Sequence, residues 1–286
     1  MNVLTSNLLE GDVAIITGGG TGIGYAIAKG MLQCGARVAI CGRREAVLQK
    51  ASDELRGLFP HAVPVHCSPC DIRDIDSCKA FVDGVLEKFG RIDVLINNAG
   101  GQFPAAAEHI SSKGFNTVVQ NNLIGTWNMT STVARAKKGG MIARKKGRIV
   151  NIIAVITRGF PGMVHTGAAR AGVENMTKTL AVEWARFGIK VNAVAPGAVE
   201  SEEGGSHKYG THVMQRAAAV IPLRRVGVPS DIAPIVIFLA SEKASAWVTG
   251  QTINVCGGQS LSGDFFQPGA AMMAEVKGTA NVRSNL

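Results

Sequence analysis

Short apolar runs rich in β-branched residues recur along the chain, and each is separated from the next by enough residues to form a helix. The intervening segments place apolar residues at helical spacing, as at Val173, Met176, Leu180 and Trp184. This alternation is typical of an α/β fold with a doubly wound parallel sheet and helices on both faces. The predicted strands, about seven in number, are Val13–Ile16, Arg37–Ile40, Val63–His66, Val94–Ile96, Arg148–Ile153, Lys190–Ala193 and Thr252–Val255.

The alternation continues without an interdomain linker, so the 286 residues are expected to form a single domain spanning 1–286. Two stretches depart from it. Residues 198–222 follow the sixth strand and are rich in Gly, Glu, Ser and His, and residues 263–286 form a C-terminal tail. Ligands of such sheets bind beyond the carboxyl ends of the strands, which makes 198–222 a candidate substrate lid.

Composition excludes several classes of protein. No apolar run approaches the roughly 20 residues needed to cross a bilayer, and the first residues lack a secretory pattern, so a soluble intracellular protein without a membrane span is expected. Six scattered cysteines in a chain of this size indicate reduced thiols. The pair Cys67-x-x-Cys70 has no second pair at metal spacing, so we interpret it as coincidental and expect no metal site.

The formal net charge of +9 indicates anionic partners. Apart from Lys137-Lys138 and Arg144-Lys145-Lys146, the basic residues are dispersed and do not interleave with aromatic residues, so no nucleic acid is expected. A polyphosphate cofactor or a phosphorylated acyl carrier would be attracted by the same positive charge. The alternative is that the basic residues form a solvated face.

A glycine-rich turn joins the first strand to a helix-like run and is typical of a dinucleotide site. Gly18 is expected to adopt a conformation closed to other residues, Gly22 to let the main chain approach a pyrophosphate, and Gly24 to allow close helix packing. The free N–H groups at the helix start then face an anion. The turn includes Thr17, Thr21 and Ile23 as further cofactor-site candidates.

The end of the second strand bears on which dinucleotide binds. A carboxylate there binds the ribose 2′-hydroxyl of NAD, whereas an arginine accommodates the 2′-phosphate of NADP. The chain reads Cys41-Gly42-Arg43-Arg44 with no carboxylate before Glu45, which predicts NADP(H) and assigns Arg43 to the phosphate. The alternative is that both arginines simply begin a solvated helix.

Four ordered motifs between about residues 10 and 258 resemble those of the short-chain dehydrogenase/reductase family. They are Thr17-Gly18-x3-Gly22-x-Gly24, Asn97-Asn98-Ala99-Gly100, Asn122 in Asn-Leu-x-Gly, and Ala195-Pro196-Gly197. The resemblance implies a single Rossmann-type domain, a homotetramer or homodimer, and hydride transfer with NAD or NADP. It also places Asn98, Gly100, Pro196 and Gly197 at the cofactor and Asp71-Ile72 near its adenine, although Asp71 could instead cap a helix.

The family's catalytic residues are altered here. Where the family has a tyrosine four residues before a lysine, this chain has Thr166 and Arg170, and Asn151-Ile152-Ile153-Ala154 offers no hydroxyl for the catalytic serine. Carbonyl reduction needs a proton donor, so it becomes doubtful. Arg170 stays protonated but is able to hold ribose hydroxyls and stabilise negative charge. Thr166 could donate a hydrogen bond and the imidazole of His165 is a candidate acid–base group; either could instead serve only the helix start.

One branch of the family fits this altered site. Gly100-Gly101-Gln102-Phe103, the segment 107–114 and the segment 164–173 resemble peroxisomal trans-2-enoyl-CoA reductases, with 2,4-dienoyl-CoA reductases close behind. The resemblance implies NADPH-dependent reduction of a double bond conjugated to an acyl-CoA thioester. Tyr209 in the lid resembles the enoyl reductases and is a candidate proton donor, or else packs the lid. Gln102 and Phe103 are expected at the acyl site, with burial of Phe103 away from ligand as the alternative.

Three functions therefore remain in view: a trans-2-enoyl-CoA reductase, a 2,4-dienoyl-CoA reductase, and a catalytically silent NADPH-binding sensor or scaffold. The C-terminal Ser284-Asn285-Leu286 resembles a degenerate peroxisomal signal and, with the branch resemblance, favours a peroxisome-like organelle over the cytoplasm.

Overall fold

A computed structural model describes residues 7–200 and 210–261 of the chain. Its centre is one seven-stranded sheet in the order β3-β2-β1-β4-β5-β6-β7, and each neighbouring pair is parallel. The strands are β1 (Val13–Thr17), β2 (Arg37–Gly42), β3 (His66–Pro69), β4 (Val94–Asn97), β5 (Gly147–Ile152), β6 (Ile189–Pro196) and β7 (Thr252–Val255). The predicted doubly wound α/β fold is confirmed.

The third strand differs from its prediction. The sequence placed it at Val63–His66, whereas pairing with β2 begins at His66 opposite Ala39 and ends at Pro69 opposite Gly42. The β-branched residue Val63 attracted the prediction but lies exposed before the strand. Pro64 has no N–H to donate to a ladder, and the chain pairs only after it.

Helices connect the strands: α1 (Gly22–Gln33), α2 (Glu45–Leu58), α3 (Ile75–Phe89), α4 (Ser112–Val119), α5 (Gly125–Arg135), α6 (Met141–Arg144), α7 (Val164–Glu183), α8 (Gly210–Val220) and α9 (Pro229–Ala240). A π-helical turn, Gln120–Ile124, joins α4 to α5. Helix α8 occupies part of the predicted lid. The segment 201–209 and the tail 263–286 lie outside the described residues. Within the described ranges, none of the helices has the length and apolar character required to span a membrane.

The core lies on both sides of the sheet. Ala14 and Ile16 of β1 face the cluster that includes residues of α1 and α9, whereas Val13 and Ile15 face residues of α3 and α5. All five residues of β1 are buried. Strands covered on both faces must be apolar at consecutive positions, which explains the unbroken apolar runs in the sequence.

An ion cluster closes the amino edge of the sheet, opposite the ends where parallel sheets bind ligands. The carboxylate of Asp93 accepts from the backbone N–H of Val13 at 2.9 Å and forms ion pairs with Arg144 at 2.8 Å and Arg91 at 2.9 Å. Burial raises the pKa of Asp93, but these donors together outweigh burial and hold the pKa below its usual value.

Candidate active site

A cleft of about 170 Å³ lies at the carboxyl edge of the sheet, around the ends of β1 to β4. It brings together four separate regions predicted from the sequence: the glycine turn, the end of β2, the segment after β3, and the loop after β4. Its lining residues are Gly18, Gly20, Thr21, Cys41, Gly42, Arg43, Arg44, Val47, Leu48, Cys70, Asp71, Ile72, Ala99, Gly100 and Asn121. The lining residues that were not predicted individually are Gly20, Cys41, Gly42, Arg44, Val47, Leu48, Cys70, Ala99 and Asn121. Most of them adjoin a residue that was predicted, whereas Cys41, Val47 and Leu48 do not.

The glycine turn has the backbone geometry that the sequence predicted. Gly18 and Gly22 have φ values of +65° and +54°, in the left-handed region that favours glycine. A Cβ at Gly24 would overlap the carbonyl oxygen of Gly18 and lie 2.5 Å from the side-chain amide of Asn98. The third glycine is therefore required by close packing of helix α1 on its own turn.

The start of α1 presents free donors at this turn. Thr21 is the N-cap residue, yet its side chain forms no capping hydrogen bond. The first N–H groups of a helix lack partners within the helix and carry its positive dipole end, which suits a pyrophosphate. Ile23, on the same first turn, packs against the core and holds the helix in place.

Thr17 and Asn98 brace the turn. The Thr17 hydroxyl accepts from the backbone N–H groups of Asn98 at 3.0 Å and Ala99 at 2.9 Å, and the Asn98 amide donates to the carbonyls of Thr17 at 3.0 Å and Gly18 at 3.2 Å. These bonds tie the end of β1 to the end of β4. Both residues hold the cleft's shape.

The side of the cleft formed by β2 and β3 carries the charged groups expected at an adenosine. Arg43 and Arg44 are exposed at the end of β2, and Asp71 and Ile72 follow β3. Asp71 accepts from the Arg73 guanidinium at 2.9 Å, and this bond holds the pKa of Asp71 below its usual value. The N-cap of α3 is Asp74, which accepts from Asp76 N, so the alternative that Asp71 caps this helix is wrong. Two arginines in a carboxylate-poor turn fit a 2′-phosphate.

Pro196 and Gly197 stand at the carboxyl end of β6, outside the cleft lining. The Gly197 N–H donates to Val255 O at 3.0 Å, and a Cβ on Gly197 would lie 2.6 Å from the Gln259 side-chain oxygen. The residues thus occupy the same edge of the sheet as the cleft, in a packed connection between β6 and the residues after β7.

Arg170 of α7 is a buried cation without a carboxylate partner among the described residues. Its Nη1 donates to Ile152 O at 2.8 Å, its Nε is buried and has no hydrogen-bond partner within 7–200 and 210–261, and a Cβ on Gly100 would lie 2.5 Å from its Nη2. Burial lowers the pKa of Arg170 to about 10, which leaves the guanidinium charged at neutral pH. The group therefore supplies a preorganised positive charge next to the cleft.

Asn122, on the π-helical turn, is fully buried and clamps the loop after β4. Its amide donates to Gly101 O at 2.7 Å and Val118 O at 2.9 Å, while its oxygen accepts from Gly101 N at 3.3 Å. Both hydrogens of the Asn122 amide are donated to backbone carbonyls, so in this arrangement the side chain fixes the position of the loop after β4. Sequence reasoning missed Gly101 as the anchor, because a backbone partner leaves no mark in the residue types.

His165 and Thr166 lie fully buried in the first turn of α7, beneath Phe103. The Thr166 backbone N–H donates to His165 Nδ1 at 2.8 Å, and the Thr166 hydroxyl is 3.2 Å from the same nitrogen. The Phe103 ring packs edge-on to His165 at 4.6 Å between centroids and is 39% exposed. Phe103 is therefore not buried, contrary to the alternative. Gln102 precedes it in the loop and is partly buried. Tyr209 lies outside the described residues.

Comparison with known proteins identifies the same architecture and family. The model of a family described as enoyl-(acyl carrier protein) reductase matches residues 18–260. A peroxisomal 2,4-dienoyl-CoA reductase of Danio rerio is 38% identical, with coverage of 91% of this chain and 85% of the relative. A 3-oxoacyl-[acyl-carrier-protein] reductase of Thermotoga maritima is also 38% identical, covering 87% and 98% of the two chains.

A solved structure of an actinorhodin polyketide ketoreductase variant with NADPH superimposes with a TM-score of 0.82 at 35% identity, and the match covers 90% of this chain and 100% of the other. With the glycine turn, the braced Asn98 and the ordered motifs in place, the protein belongs to the short-chain dehydrogenase/reductase family of oxidoreductases.

Proposed function

We propose that the protein is an NADPH-dependent trans-2-enoyl-CoA reductase of fatty-acid metabolism, an oxidoreductase acting on a CH–CH bond. The observation that carries this proposal is Arg170: a buried guanidinium without an acidic partner in the described ranges, placed beside Gly100 of the cofactor cleft. An uncompensated buried cation is costly unless the site takes up negative charge.

The proposed reaction develops such a charge. NADP(H), when bound, supplies a hydride, which adds to the β-carbon of the enoyl thioester. The double-bond electrons then move towards the thioester oxygen, and the α-carbon takes up a proton, giving a saturated thioester. Arg170 would stabilise the oxygen as its charge grows, and would also hold ribose hydroxyls of the cofactor. Asn122 would position the Gly100–Gly101 loop through its bonds to Gly101.

The described residues favour this chemistry over carbonyl reduction. Thr166 stands where the family tyrosine would be, and its buried hydroxyl contacts His165. The chain has two tyrosines; Tyr25 packs against the core from α1, and Tyr209 belongs to the lid segment. A ketone needs a proton donor at its oxygen, whereas an enolate oxygen needs only charge stabilisation.

The remaining assignments complete the proposal. Tyr209 is the proposed donor of the α-proton, with Thr166 as a second hydrogen-bond donor. Gln102 and Phe103 would line the acyl site, since Phe103 is open to solvent on one side and rests on His165 on the other. The buried His165 would act at the acyl site by supporting Phe103. The proposed partner is an acyl-CoA thioester, the proposed assembly a homotetramer or homodimer, and the proposed location a peroxisome-like organelle.

A second candidate is 2,4-dienoyl-CoA reduction. Relatives at 38% identity from Danio rerio and at 35% from Bacillus subtilis carry the names peroxisomal and probable 2,4-dienoyl-CoA reductase, respectively. The two reactions place the same demand on Arg170, because both leave negative charge on the thioester oxygen. A silent NADPH-binding sensor is the third candidate.

The test follows NADPH oxidation by absorbance with crotonyl-, trans-2-decenoyl- and trans-2,trans-4-decadienoyl-CoA, repeats it with NADH, and locates the product's double bonds by mass spectrometry. Turnover of a mono-enoyl thioester is expected. Turnover of the diene alone would transfer the function to the second candidate. NADPH binding without consumption of any thioester would support the sensor.

A matched pair of variants tests the role of Arg170. Arg170→Met is expected to lower kcat about 10²–10³-fold, as for loss of an oxyanion donor. Lys178→Met, on the exposed face of the same helix, is expected to keep the activity, since Lys178 is largely exposed and pairs with Glu174 on the helix surface. Equal activity of the two variants would contradict the proposed mechanism.

A further inference from the structure

Three thiols meet in the core beside the cofactor cleft: Cys41 at the end of β2, Cys70 directly after β3, and Cys78 on α3. They are 0%, 3% and 0% exposed and belong to one buried cluster. The Cys70 side chain lies within hydrogen-bonding reach of both other thiols. All three cysteines are free in the structure.

The Cys67-x-x-Cys70 motif does not form this group. Cys67 packs against the apolar cluster on the opposite face of the sheet, and its thiol lies 3.8 Å from the Gln49 side-chain oxygen. Successive strand residues point to opposite faces, so positions three apart diverge. The sequence motif is coincidental, as interpreted, whereas the thiols that meet are brought together by the fold.

Cys70 and Cys78 flank the segment expected at the adenine. Cys70 is in the cleft lining, and its backbone N–H donates to Gly42 O at 2.9 Å. The Cys78 thiol lies 3.6 Å from Ile72 O, and Asp71 N donates to the Ser77 hydroxyl at 3.1 Å. A change in the Cys70–Cys78 geometry therefore acts directly on Asp71 and Ile72.

The environment also selects Cys70 as the reactive thiol. Side-chain hydrogen bonds with Cys41, Cys78 and Ser77 lower the pKa of Cys70, whereas the bonds with Cys70, together with burial, raise the pKa values of Cys41 and Cys78. A thiolate is the nucleophilic form of cysteine. Access for a small oxidant runs through the cleft that Cys70 lines.

We propose that Cys70 and Cys78 are a peroxide-sensitive dithiol that closes to a disulfide in the wall of the cofactor cleft. The Cys70 thiolate attacks one oxygen of hydrogen peroxide, breaks the O–O bond and becomes a sulfenic acid, and the released hydroxide takes a proton to form water. The Cys78 sulfur then attacks the Cys70 sulfur, loses its proton, and expels the second water. The pair is oxidised by two electrons and peroxide is reduced to two waters.

Formation of the disulfide removes the hydrogen bond from Cys78 to Ile72 O and displaces Asp71 and Ile72, which line the cleft. The expected consequence is an NADPH dissociation constant raised about tenfold, equivalent to 1.4 kcal/mol. A bound cofactor covers the cleft, so NADP⁺ present before the oxidant is expected to slow disulfide formation. The inference rests on the proposed dinucleotide site and is independent of which thioester is reduced.

The experiment treats the full chain with hydrogen peroxide, quenches with catalase, and maps peptides without reduction while NADPH affinity is followed by nucleotide fluorescence. A Cys70–Cys78 linkage is expected together with weaker NADPH binding, and a thiol reductant should reverse both. Cys78→Ser should abolish the linkage and the affinity change. The matched control Cys34→Ser, a buried cysteine in the other core cluster, should retain both.

Absence of a Cys70–Cys78 peptide, a linkage through Cys41, or a linkage without change in NADPH affinity would each overturn the inference. If the reduced protein failed to bind NADPH at all, the cofactor assignment would fail, and peptide mapping would still decide whether the disulfide forms. Lack of thioester turnover would leave both measurements unaffected.

Discussion

Gly24→Ala and Gly57→Ala make the same chemical change in two helices and should have opposite effects. At Gly24 the new methyl group would overlap the Gly18 carbonyl oxygen and lie 2.8 Å from its carbonyl carbon. These neighbours are backbone atoms, so the turn itself must move. Gly57 lies near the end of α2, and a Cβ there meets no atom of the described residues within 4 Å.

The magnitudes follow from this difference. Overpacking against rigid neighbours costs up to about 3 kcal/mol, and the alanine gains about 1 kcal/mol of helix propensity, so Gly24→Ala should lower the free energy of unfolding by about 2 kcal/mol. For a chain of this size that corresponds to a Tm decrease of about 4–8 °C. Gly57→Ala receives only the propensity gain and should raise the free energy of unfolding by up to about 1 kcal/mol.

Urea unfolding followed by circular dichroism measures both changes, and fluorescence titration measures NADPH binding. Because the displaced turn is also the pyrophosphate site, Gly24→Ala should weaken NADPH binding while Gly57→Ala leaves it unchanged. A Gly24→Ala protein with wild-type stability and wild-type NADPH affinity would refute the assignment of this glycine to close packing.

Substitutions of two charged residues should change cofactor selectivity and stability. Arg43→Asp should weaken NADPH relative to NADH, because a carboxylate repels the 2′-phosphate and accepts from a 2′-hydroxyl; unchanged selectivity in binding titrations would contradict the assignment of the β2 turn. Asp93→Asn should reduce the free energy of unfolding at pH 7 by about 1–3 kcal/mol, since it leaves the partly buried Arg144 without its carboxylate. The pKa of Asp93 is lowered on folding, so its stabilising contribution is complete above the unfolded value of about 3.9 and is lost as pH falls through the lower folded value. The stability gap between wild type and variant, measured by urea unfolding, should therefore narrow below about pH 4, and a gap independent of pH would contradict this explanation.

Much of the fold followed from local patterns. Apolar runs at regular intervals predicted the parallel sheet, because a strand covered on both faces must be apolar throughout. The third strand was predicted three residues too early, because β-branched composition does not show where backbone pairing begins. Pro64 prevents the pairing with β2 from starting at Val63. The glycine turn was predictable because Gly18 and Gly22 have backbone angles that few other residues adopt.

The candidate site was only partly predictable. The end of β2 indicated a 2′-phosphate because its arginines attract a phosphate whatever the rest of the fold. The absence of the family tyrosine was evident from Thr166 alone. The sequence did not show that Asn122 is bonded to the backbone of Gly101, or that Arg170 is buried without a carboxylate partner in the described ranges.

The sequence by itself determined the succession of strands and helices along the chain, the phosphate-binding turn and the altered catalytic positions, since each depends on residues close together in the chain. Only the tertiary structure decided which distant groups meet. It separated Cys67 from Cys70 and brought Cys70 to Cys78, and it placed the Arg170 guanidinium beside Gly100. The physical reason is that hydrogen bonding, burial and electrostatic compensation depend on distances through space, which spacing along a chain does not specify.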